Sequence, residues 1–202
     1  VSHKKLTADE MLKALDNGNS LYTLQTDHEH EARMQFQFRK NRGNTQFYFY
    51  ALPTIVFQHS TMHYERGTML DTLYHRNTAL PKLQANFSIY PDKNPWPWHV
   101  KLEYKFNTYA PNMTYLADYR DDSNPLYITK GNRNLRNNQV HYYALHFTRN
   151  MKNQKTLYTK IDGNIRPNMV AMGYVYDAKT GVKTVTPQNI NGNWDMSGYL
   201  YY

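Results

Sequence analysis

Residues 45–53, TQFYFYALP, decide how the rest of the chain is read. Successive side chains of a strand point to opposite faces. Phe47 and Phe49 therefore lie on one side, and Tyr48 and Tyr50 on the other. The preceding stretch ARMQFQFR sets Met34, Phe36 and Phe38 against Arg33, Gln35 and Gln37, and the basic turn KNRGN joins the two. The phenylalanine side of this hairpin is expected to be core. The tyrosine side poses the functional question, because a strand apolar on both faces is covered on both.

Outward from this hairpin, period-two alternation marks further strands at 54–58, 84–90, 98–107, 113–119, 126–130, 139–149, 156–161, 169–177 and 194–202. The turn clusters YPDKNP, RDDSNP, KGNRN, RNMKNQK, DGN, DAKTG and NINGN separate them. Two helices are expected. In LTADEMLKALDNGN, Thr7 and Glu10 form a capping box, Met11, Leu12 and Leu15 share a stripe, and Asn17–Gly18 supply the stop. In TMLDTLYHR, residues 68–76, Met69, Leu70, Leu73 and Tyr74 share a helical face. These patterns predict one β-dominated α+β domain over 1–202. It is a curved antiparallel sheet or open barrel, with a short N-terminal helix over about 7–17 packed on it.

WHVKLEYKF separates into Val100, Leu102, Tyr104 and Phe106 against His99, Lys101, Glu103 and Lys105, so its second face is expected to be wet. VHYYALHF, MVAMGYVYD and GYLYY are apolar on both sides. Tyrosine suits a half-wet surface, since its ring buries area while its hydroxyl needs a partner. Tyr48, Tyr50, Tyr142, Tyr174 and Tyr176 are the candidate lining of a groove; packing beneath the N-terminal helix is the alternative for any one of them.

The formal charge of +8 favours an anionic partner. Between Leu126 and Ile161 there is no Asp or Glu, while Arg133, Arg136, Arg149, Lys152 and Lys155 occupy two loops flanking the 139–149 strand. Those guanidinium and ammonium groups are the candidate anion-binding set, with solvated turns as the alternative. Nucleic acid is disfavoured, because no helix-turn-helix, zinc-finger or RNP pattern occurs. There are no Cys residues, which excludes disulfides and thiolate chemistry.

No motif identifies a reaction. TDHEHEAR aligns His28 with His30, but no third ligand is marked; His59 and His63 lack the glutamate of a metalloprotease helix. DYRDDSN lacks the closing Glu of a calcium loop. Neither a nucleophile elbow nor a phosphate-binding glycine loop is present. No catalytic residue, metal or cofactor is therefore assigned. Trp96 and Trp98 in NPWPWHV are read as plugging the end of the sheet, with sugar stacking as the alternative.

The opening KKLTADEMLKALDNGNSLYTL resembles the start of exported proteins of Gram-positive bacteria, and the whole is similar to uncharacterised secreted or lipid-anchored proteins of lactic acid bacteria. More distantly it resembles half-barrel lipoprotein carriers, whose sheets shelter acyl chains beneath helices. Those carriers continue the first helix beyond the point where DNGN stops it here, and their cavities are more aliphatic, so no functional residue carries over. The resemblance implies an extracellular or cell-surface location, with a signal or lipid anchor removed. No run of eighteen apolar residues marks a transmembrane segment. The expected function is non-enzymatic binding of an anionic polymer or carbohydrate at the cell surface. A carrier of a lipid or other hydrophobic small molecule is the alternative, and a hydrolase using Glu103 or a residue of the Asp27–Glu31 cluster a weaker one.

Overall fold

The computed structural model describes residues 21–66, 70–91, 97–117 and 120–202. The expected helix over about 7–17 lies outside the described residues, as does Trp96. The chain builds a large antiparallel sheet around one long hairpin, β3 (Thr45–Arg66) and β4 (Leu70–Pro91), paired without a register shift from Thr45↔Pro91 to Arg66↔Leu70. On one flank β1 (Leu21–Arg33) and β2 (Phe36–Arg42) lie end to end along β3. On the other follow β5 (Trp98–Tyr109), β8 (Asn138–Asn150), β9 (Thr156–Arg166) and β12 (Asn193–Tyr201). The two flanks do not meet, so the sheet is not a closed barrel.

Two excursions leave this sheet at the same end and combine. The chain between β5 and β8 forms the short helix α1 (Met113–Leu116), β6 (Arg120–Asn124) and β7 (Tyr127–Lys130). The chain between β9 and β12 forms β10 (Met169–Tyr176) and β11 (Lys183–Ile190). Together they make a second sheet ordered β10-β11-β7-β6, in which β11 and β7 run parallel. Asn112 caps α1, its side chain accepting from the Thr114 amide at 2.9 Å. Gly131 lets the following chain lie against α1, where a Cβ would overlap the Ala117 carbonyl oxygen.

The buried core sits where this unit meets the outer half of the hairpin. Met62 and Tyr64 pack with Met113 and Ala117, flanked by Tyr74 and Leu116. Arg76 ties the two layers together, donating from Nη2 to Asn137 Oδ1 at 2.8 Å.

Three expectations are corrected. Leu70–Arg76 are strand, not helix, because each residue finds a partner on β3 and Tyr74 faces Met62. Residues 113–116 form α1 rather than a strand, since the Asn112 cap and the burial of Met113 favour a helical turn. The third concerns the phenylalanine face. It is not core among the described residues: Met34 is 61 %, Phe38 57 % and Leu102 49 % exposed. The second layer is too small to reach it and stands on the opposite face, at one end.

Candidate functional site

Register alone assembles the exposed apolar face. Directly opposed residues run Phe38–Phe49–Phe87–Leu102–Leu145–Ile161 across six strands and end at Gly198 on β12. The adjoining row is Phe36–Ala51–Ala85–Tyr104–Tyr143–Gly163–Met196, and the next includes Phe106, His141, Ile165 and Trp194. Seven strands about 4.8 Å apart and three such rows give a plan area on the order of 600 Å². That lies at the top of the range for an apolar patch on a monomer, where such patches usually serve binding. Within it an open trough of about 740 Å³ runs from Phe49 to Trp194, floored by Ala85 and Gly163 where small residues lower the surface. Tyr104 and Tyr143 tilt together at 5.1 Å along its wall, and the Tyr104 hydroxyl meets His141 Nδ1 at 3.0 Å.

The opposite face of the same strands is polar yet half-buried. Glu103 sits between Lys105 at 2.6 Å and Lys101 at 3.0 Å, with its side chain only 10 % exposed. Burial alone pushes its carboxyl up, but the two lysine hydrogen bonds outweigh this and bring the pKa down to about 2. Lys160 bridges Asp162 at 3.0 Å and lies 5.8 Å from the rings of both Tyr142 and Tyr199. Burial, then the neighbouring Lys101, holds His146 below its ordinary value. The expectation that this face is simply wet is corrected: long side chains lie flat and shield one another.

The predicted site residues divide. Tyr48, Tyr50 and Tyr142 share the polar face, but β4 and β5 separate the first two from the third. Arg39 lies over Tyr48 at 5.8 Å, and Lys105 over Tyr142 at 5.3 Å. Tyr174 and Tyr176 stand exposed on β10 of the second sheet, with Lys183 4.4 Å from the Tyr174 ring. Arg133 and Arg136 lie beside the second sheet, where Arg133 stacks on Tyr74 and the Arg136 amide donates to Asn189 Oδ1. Arg149, Lys152 and Lys155 gather at the far end of β8, so the two basic loops do not form one patch. Trp98 joins Tyr90, Pro91 and His99 around a smaller recess of about 370 Å³.

His28 is opposed to His59, whose ring stacks on His75 at 6.2 Å. No group of three metal-ligating side chains is formed among the described residues. For the hydrolase reading, Glu103 and Asp162 lie in one cross-sheet row with Ala144 between them. Each is paired with lysine, and the two lysines beside Glu103 hold its carboxyl ionised rather than protonated for general-acid work. No helix among the described residues is long and apolar enough to cross a membrane. Comparison with family models, curated proteins and solved structures found no match to this chain.

Sequence reasoning did not bring Phe49, Phe87, Leu102, Leu145 and Ile161 together as a candidate surface, because alternation assigned the Phe49 face to core and no single strand shows the row. The usable signal was an inventory. Only the short segments outside the long strands remained to cover a face seven strands wide.

Proposed function

We propose that this protein is a non-enzymatic binding protein whose apolar sheet face takes up a hydrophobic ligand with an extended chain, such as an acyl group. The observation that carries this is the continuous row from Phe38 to Ile161, half-buried at Phe87 and exposed at Phe38, Phe49, Leu102, Leu145 and Ile161. Burying such surface contributes about 25 cal/mol per Å², so a ligand lying in the trough gains affinity without any specific polar contact. The trough's volume falls within the range of small-molecule sites.

Titration with a fluorescent fatty acid tests the reading. Saturable binding to the unaltered chain is expected, weakened at least tenfold in Leu102→Glu, which places a charge mid-trough. Unsaturable binding, or equal binding by both proteins, removes the reading.

A second reading keeps the cell-surface partner anionic or a carbohydrate. It is favoured by Arg149, Lys152 and Lys155, exposed at one end of the sheet, with Lys155 4.8 Å from the Tyr202 ring. None of the described ion pairs uses these three cations. Binding to an anionic polymer that weakens steeply with salt, and that is lost on replacing all three by Ala, is the expected result for this reading.

A further inference from the structure

Among the described residues the large sheet has two free edges, and they differ in kind. One is formed by β1 and β2, which carry Asp27, Glu29, Glu31, Arg33, Arg39, Lys40 and Arg42. Charges on an edge strand block pairing with another chain. The other edge is β12, NWDMSGYLY, whose sole charge, Asp195, is already bonded to Arg166 and to Asn164. β12 contains no Pro and no Lys, and among the described residues it pairs only with β9. Trp194 and Met196 are 70 % and 71 % exposed there. β10, the other uncharged edge, offers less, because its first three residues are half-buried and it lies against β8.

We propose that β12 is a pairing edge for a second copy of this chain, joined antiparallel β12 to β12 about a two-fold axis at Ser197. Ser197 is the midpoint of Asn193–Tyr201, so this register alone pairs all nine residues of the strand. It is self-complementary. On the apolar face Trp194 opposes Leu200 of the other copy, and Met196 opposes Gly198, a bulky residue against a small one. On the polar face Asp195 opposes Tyr199, and Asn193 opposes Tyr201. No like charges meet. The unpaired backbone amides and carbonyls of both edges are satisfied at once. The contact joins the two apolar faces into one surface, yet it does not depend on any ligand lying there.

The absence of Cys makes the test direct. In Ser197→Cys the two new thiols face each other across the axis, within the 4.4–6.8 Å Cα range of a disulfide. In Tyr199→Cys the same thiols lie four residues apart along the seam, about 13 Å, which is too far. Sedimentation of the unaltered chain is expected to give twice the mass of one chain. Mild oxidation is expected to crosslink Ser197→Cys and leave Tyr199→Cys uncrosslinked. Met196→Lys is expected to return the mass to that of a single chain. A single-chain mass at all concentrations with no crosslink at 197 overturns the proposal. So does equal crosslinking at both positions, which marks chance collision, or a dimer that fails to crosslink at 197, which marks a different surface.

Discussion

Leu102 and Glu103 are neighbours on β5, and their exposures run against their chemistry. The leucine on the apolar face is 49 % exposed, while the glutamate side chain on the polar face is 10 % exposed. Within one sheet, burial is therefore set by what lies beside a side chain rather than by its hydropathy. Lys101, Lys105, Lys160, Tyr142 and His146 are long enough to lie across their neighbours and shut water out. Phe, Leu and Ile stand upright on the other face and await a covering surface. Among the described residues the polar face shields itself from water and the apolar face does not. This asymmetry is the physical basis for proposing that binding takes place on the apolar side.

The sharpest way to break that contrast is to compare two apolar truncations. Met62 is fully buried against α1, so Met62→Ala should cost about 2–5 kcal/mol through lost contacts and a cavity. Leu102→Ala removes a half-exposed side chain and should cost at most about 1 kcal/mol. Urea denaturation of both variants provides the comparison. A loss for Leu102→Ala as large as that for Met62→Ala would show the apolar face to be covered in solution and collapse the distinction.

Strand identity was largely legible in the sequence, because alternation in TQFYFYALP, WHVKLEYKF and VHYYALHF is a local property that the pleat reproduces. Antiparallel dominance was legible too, from the short turn clusters. What escaped was any feature settled by distant partners. TMLDTLYHR has helical spacing, yet Thr72 and Tyr74 are claimed by Tyr64 and Met62 on β3, and strand pairing overrides local preference. Residues 113–119 read as a strand, but the Asn112 cap and a buried Met113 close a helical turn over Met113–Leu116. TDHEHEAR showed two aligned histidines without a third ligand, but not the place of the stretch in the sheet, which makes β1 a charged edge strand. The tyrosines were correctly placed on the second face of β3 and β8. That they lie beneath cations rather than around one groove depends on which strands intervene, and no single strand's pattern contains that order.

The polar face can be probed through Glu103, whose loss sharpens the contrast at smaller amplitude. Its folded pKa near 2 lies below the ordinary carboxylate value of 4.5. The ionised form is thus favoured by folding, and the resulting stability is present above pH 4.5 and lost as pH falls through about 2. After allowance for solvent screening, the contribution is about 1–2 kcal/mol. Glu103→Gln should be less stable than the unaltered chain at pH 7, with the gap closing steadily between pH 4.5 and 2. Denaturation midpoints measured across that interval check it. A gap independent of pH would mean that Lys101 and Lys105 do not hold the carboxylate in solution.

The smallest effect expected concerns His146, opposite Lys101 on the adjacent strand. Its surroundings are mixed: Lys101 and Lys160 disfavour the imidazolium, while Glu103 and Asp162 favour it, and the Tyr158 hydroxyl meets Nδ1 at 3.0 Å. Burial decides the balance and lowers the pKa from 6.5, so the neutral ring is the form favoured by folding. The associated stability is complete above pH 6.5 and declines as pH falls below it towards the folded value. An NMR titration should place the His146 midpoint below 6.5. In Lys101→Met the midpoint should rise, because one neighbouring positive charge is gone while the ring's burial is kept. A midpoint at or above 6.5 in the unaltered protein would mean that water reaches the ring freely, and that the polar face is as open to solvent as the apolar one.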